Sequence, residues 1–168
     1  MDDKIIRKEL TALLRGGNAH ESFEEKFRNF PVEHINTRIP GVERPPGVEF
    51  TPWHLLEHMR ICQWDILEFI RNPDHISPDY PDGYWPDPAK SAEKEQWNRS
   101  REQFRQDLGV LLSMAGNPET MLFEPLSHAP EYTVFRELLL VADHNSFHLG
   151  HIGLFRDLFC RNLTAPWS

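Results

Sequence analysis

The chain has 168 residues, enough for one domain (1–168) with a substantial core, and five Trp and eleven Phe supply large core pieces. A formal net charge of −8, with no Lys/Arg cluster and no basic stripe carrying aromatics, argues against a nucleic-acid partner. No apolar run approaches a membrane span, Met1-Asp2-Asp3-Lys4 begins acidic with no secretory h-region, and two cysteines (Cys62, Cys160) make no disulfide framework, so the cytoplasm is the expected compartment.

Residues 2 to about 15 read as a first helix, with Ile5, Ile6, Leu10, Leu13 and Leu14 at helical spacing and Gly16-Gly17-Asn18 as its stop. Ser22 to Phe30 reads as a short second helix: Ser22 and Glu25 have capping-box spacing, and Phe23, Phe27 and Phe30 form a stripe. Pro31 ends it. Residues 31–50, with Pro31, Pro40, Pro45, Pro46, Gly41 and Gly47, read as an extended connection crossing the end of a bundle.

Thr51-Pro52 is a helix start, with Thr as N-cap and Pro at the first helical position, and Asn72-Pro73 closes that helix after Arg71. Leu55, Leu56, Met59, Cys62, Ile66, Leu67 and Ile70 are its apolar positions. Residues 72–88 form a proline-rich loop carrying Tyr80, Tyr84 and Trp85, a composition that suits a lid or an interface. The next helix is expected from Asp87-Pro88 to about Ala115, with Trp97, Arg101, Phe104, Leu108, Leu111 and Leu112 on one side. A loop over 117–130 holds a short strand or turn near Met121-Leu122-Phe123, and the last helix runs from near Tyr132 to about Arg161. The pattern predicts an all-α fold: a four-helix bundle with at least one crossover connection.

The chemistry concentrates in two groups of histidines. His144 and His148 lie four residues apart on the last helix, on a face that also carries Leu140, Val141, His151 and Phe155. Burying neutral imidazoles is costly unless their nitrogens find partners. One metal ion would satisfy a nitrogen on each ring, although two packed, hydrogen-bonded histidines are the plainer reading of such a pair. His58, flanked by Leu55, Ile61 and Cys62, faces partly inward from the helix over 51–71, and facing helices are the usual source of ligands in a bundle core. Three imidazoles leave a coordination position open, as in a catalytic site. The face argument does not separate His58 from His54, one turn earlier and expected nearer solvent. His151 fits a place at the pocket mouth. Cys62 could ligate but reads more simply as a small buried side chain. Glu57, Asp65 and Asp143 are candidate acceptors for imidazole N–H groups, or solvated charges.

Two segments carry a family resemblance. Thr51-Pro-Trp-His-Leu-Leu-Glu-His-Met-Arg-Ile-Cys-Gln-Trp-Asp-Ile-Leu resembles the second-helix signature of the DinB-like (DinB/YfiT) superfamily. Asp143-His-Asn-Ser-Phe-His-Leu-Gly-His-Ile-Gly-Leu-Phe-Arg is similar to its last-helix signature, and Tyr84-Trp85-Pro86 to a loop of one subgroup. The resemblance implies a bundle of up-down-down-up connectivity, often a homodimer. It also implies a divalent metal, nickel or zinc, held by His58, His144 and His148. Here the positions of His54 and His151 depart from the residues common in the family, which leaves the three-histidine site intact and a different pocket chemistry open. Some relatives are metal-dependent transferases or isomerases that use a low-molecular-weight thiol, so the resemblance implies an enzyme acting on a thiol and an electrophile. A metal-dependent hydrolase, and a non-enzymatic or structural metal-binding protein, are the competing readings.

Overall fold

The structure is a computed structural model and describes residues 2–38 and 50–160. Five α-helices follow one another: α1 (Asp3–Arg15), α2 (Phe23–Phe27), α3 (Pro52–Arg71), α4 (Lys94–Gly116) and α5 (Val134–Cys160). Two short strands, β1 (Pro125–Leu126) and β2 (Ala129–Thr133), form an antiparallel hairpin before α5. The expected features at Pro40, Gly41, Pro45, Pro46 and Gly47, the last-helix end at Arg161 and the C-terminal tail lie outside the described residues. No helix among the described residues is long and apolar enough to cross a membrane.

Local chemistry accounts for most helix boundaries. The Asp2 side chain accepts the Lys4 N–H at the start of α1. Gly16 and Gly17, at φ 70° and 89°, end it in a conformation that disfavours other L-residues. Ser22 and Glu25 form the expected capping box of α2, but the helix stops at Phe27, and Phe30 reaches the core from a turn. Thr51 caps α3, and Pro52 occupies its first turn as expected.

Three expectations are corrected. α4 begins at Lys94, not at Asp87-Pro88. The Asp87 carboxylate instead accepts the Ala89 N–H in a turn. Asn36 then holds Ala92 outside the helix, accepting its N–H and donating to its carbonyl, each at 2.9 Å. The strand or turn expected near Met121-Leu122-Phe123 is a bend there with strand pairing just after it, from Pro125 to Thr133, and this pairing moves the start of α5 from near Tyr132 to Val134. On the helix faces, Ile5, Leu13 and Leu140 are exposed, so the buried stripe of α1 narrows to Leu10 and Leu14 with half-buried Ile6.

The long helices pack with α1 against α4 and α5, and α3 against α4 and α5. The core has two regions. One gathers Leu10, Leu14, Leu67, Ile70, Leu111 and Leu138. The other, richer in aromatic rings, gathers Phe23, Phe27, Trp53, Trp97, Phe104 and Phe155. Between them, a chain of buried amides links three helices: Asn145 donates to Gln63, which donates to the Phe104 carbonyl. The contact of α3 with α5 places His58 opposite His144 and His148.

Candidate metal centre

His58, His144 and His148 are brought together, each offering one ring nitrogen, with those nitrogens within 4.8 Å of one another. The ring centroids of His58 lie 5.0 Å from His144 and 4.9 Å from His148, and those of His144 and His148 are 4.5 Å apart. His58 and His148 are buried and His144 is half-buried. One helical turn separates His144 from His148, which explains why both project from one face of α5, their rings edge to face.

His58 has a defined tautomer. Its Nδ1 lies 2.9 Å from the Tyr84 carbonyl oxygen, which can only accept, so Nδ1 carries the proton. A neutral His58 then presents a lone pair at Nε2. That atom sits 3.2 Å from His144 Nε2. Two nitrogens at the zinc–nitrogen distance of a tetrahedral site are about 3.3 Å apart, so the observed spacing fits two ligands of one ion. Without an ion, the contact requires His144 to donate from Nε2. The donor set, three imidazoles and no carboxylate, suits zinc, nickel or a similar divalent ion.

The surroundings favour the neutral form of His58 and His144. Burial holds His58 below the usual histidine range, against the pull of the Tyr84 carbonyl. Burial, and then the neighbouring His58 ring, push His144 down to about 4. A neutral imidazole is the form that can bind a metal. Trp85 stacks on His58, centroids 3.8 Å apart and planes within 4°, and so covers one face of the site from the loop over 72–88. Gly83 permits that loop to close, since a Cβ there would lie 2.7 Å from Pro78 Cβ. Tyr80, in the same loop, points into solvent at 89% exposure.

The remaining candidates are placed elsewhere. His54 is not near solvent; it is 2% exposed and serves the start of α3. Thr51 donates to its Nδ1, and its Nε2 donates to the Asp87 carbonyl, so both nitrogens are spent on structure. His151 packs beside Phe147 and His148, outside the three-nitrogen group. Cys62 Sγ touches His58 at 3.5 Å from Nδ1, and burial followed by the Asp65 charge pushes its thiol up to about 12, so it stays protonated and outside the group.

Of the acidic candidates, Glu57 accepts from Arg60 and Ser100, and Asp143 is exposed. Asp65 does accept an imidazole N–H, but from His75, at 2.7 Å. Its other oxygen accepts the Tyr84 hydroxyl, also at 2.7 Å. His75 and the Tyr84 main chain had no signal in the sequence, because neither falls at a ligand spacing from His58, His144 or His148.

The sequence model of one family, described as the DinB superfamily, matches residues 8–152 of this chain. Nothing among curated proteins or among solved structures matches it.

Proposed function

The chain belongs to the DinB superfamily, and from that membership and the three-histidine cluster we propose that it binds a divalent metal through His58, His144 and His148 and works as a metal-dependent enzyme. The observation that carries the reading is the 3.2 Å approach of two imidazole Nε2 atoms, with a third imidazole beside them. A divalent ion held there would act as a Lewis acid, lowering the pKa of a thiol or water brought to its open position.

The chain's own residues orient the ligands and keep water off them. Tyr84 holds the His58 tautomer, Trp85 shields its face, and burial keeps His144 neutral. Among the described residues, no carboxylate joins the group, so a general base for hydrolysis is not supplied within it. That favours a transferase in which a low-molecular-weight thiol is the nucleophile and a small electrophile binds beneath the aromatic loop. A metal-binding protein without catalysis is the second reading; the same buried imidazoles would then serve the stability of the fold.

The finer architecture belongs to the same proposal: a single four-helix-bundle domain of up-down-down-up connectivity, cytoplasmic, with no nucleic-acid partner. The packing of α1 and of α3 against both α4 and α5 supports a crossover connectivity, since the successive pairs α1/α3 and α4/α5 then sit across the diagonals while α3 and α4 are neighbours. Leu140, Phe147 and Leu154 lie seven residues apart on α5 and are exposed, which supports a homodimer.

A panel of low-molecular-weight thiols with an alkylating electrophile, run with and without a chelator, tests the activity. Turnover that disappears on chelation and returns with zinc or nickel is expected. Turnover unaffected by chelation removes the metal-dependent reading; thermal destabilisation by chelator with no thiol-dependent turnover selects the non-catalytic one.

A further inference from the structure

The contact that orients His58 is made by a main-chain carbonyl, and a carbonyl has no side chain of its own to hold it in place. Tyr84 ends a single 3-10 turn, Asp82–Tyr84, in the connection between α3 and α4, 26 residues from His58. Its other end is fixed. Tyr84 Oη donates to Asp65 Oδ2 at 2.7 Å, and Asp65 Oδ1 accepts from His75 Nε2 at 2.7 Å. Asp65 follows His58 by seven residues on α3, two turns along the same face. Both anchors of Tyr84 therefore come from one rigid helix, and the connection closes on itself from His58 through Tyr84 and Asp65 back to α3. The Asp65 and His75 side chains are 11% and 7% exposed, so water competes little for these bonds. Trp85, the next residue, is set by the same anchor against the His58 ring.

We propose that Asp65 and Tyr84 are positioning residues of the three-histidine site. Asp65 holds the Tyr84 hydroxyl, the Tyr84 carbonyl accepts the His58 Nδ1–H, and His58 is thereby locked with its Nε2 lone pair aimed at His144 and His148. The tautomer is a property of the metal-free chain; its consequence for metal affinity rests on the metal reading above. Cys62 Sγ, at 3.5 Å from the same Nδ1, is the weaker acceptor and does not replace the carbonyl.

The test is the imidazole nitrogen NMR of the full chain labelled with ¹⁵N-histidine, free of metal, beside zinc affinity measured against a chromophoric chelator. Wild-type His58 is expected as the Nδ1–H tautomer. Tyr84→Phe removes only the hydroxyl and is expected to give a tautomer mixture and about tenfold weaker zinc binding, the lower range for loss of a group that orients a ligand. Asp65→Asn should move both readouts in the same direction, and Tyr80→Phe, in the same loop but solvent-facing, should move neither. A wild-type His58 in the Nε2–H form overturns the proposal without any variant having to fold. So does a Tyr84→Phe spectrum identical to wild type, or a changed tautomer with unchanged zinc affinity. A tautomer shift in a protein that binds no zinc at all leaves the positioning of His58 standing and overturns the metal reading instead.

Discussion

At the scale of single residues, the site is a place where the protein prefers uncharged groups. His144 has its pKa pushed down to about 4, whereas in the unfolded chain it titrates near the usual ~6.5. The unfolded state therefore binds the proton first as pH falls. Stability of the metal-free protein should be level above that unfolded value and decline between it and about 4; His58 and His54, shifted the same way by burial, add to the decline. Denaturant melts across this range check it, and His144→Gln should flatten the slope. Cys62 behaves as the opposite case. Its thiol is pushed up to about 12 by burial and then by Asp65, so iodoacetamide at mildly alkaline pH should label exposed Cys160 and leave Cys62 unmodified until the protein unfolds. Mass mapping of the alkylated chain reads this directly. The spacing of His144 and His148 was visible in the sequence because helical periodicity puts residues four apart on one face. The partners of His58 were not, because a main-chain carbonyl is offered by every residue type, and only the folded loop selects that of Tyr84.

At the scale of elements, one clamp ties α1 to the end of α4. Buried Arg7 donates to the main-chain oxygens of Ala115, Asn117, Pro118 and Thr120, with Asp3 holding its Nε. Carbonyls at a helix C-terminus lack partners within the helix and carry partial negative charge, so a planar guanidinium with several donors suits them. Arg7→Ala should cost on the order of 3 kcal/mol, as expected for losing several charge-assisted hydrogen bonds at a buried site, and Arg7→Lys should recover only part of it. Chemical denaturation of the two variants measures both. The sequence carried the helices wherever a cap or breaker stood beside a periodic run, as at Thr51-Pro52 and Gly16-Gly17. It misled at Asp87-Pro88, where the same kind of signal made a turn because Asn36, far away in the chain, holds Ala92 out of the helix. The hairpin at Pro125–Thr133 had no alternating pattern to reveal it, since its five-residue strand is only partly buried.

At the scale of the whole molecule, a helical fold brings together three imidazoles contributed by two facing helices. The site forms only when α3 and α5 are packed, so a metal bound there should favour the folded chain over the unfolded one by mass action. Zinc or nickel should raise the melting temperature and a chelator should lower it, with the effect lost in His58→Ala. The family match covers most of the chain, residues 8–152. Metal binding by the three histidines is decided by elemental analysis of protein purified without an affinity tag, for the wild type and for His58→Ala and His148→Ala. About one divalent ion per chain is expected in the wild type, as one three-ligand site requires, and little in either variant. A folded wild type that carries no metal and takes up none, or variants that retain it, would show that these histidines are not metal ligands.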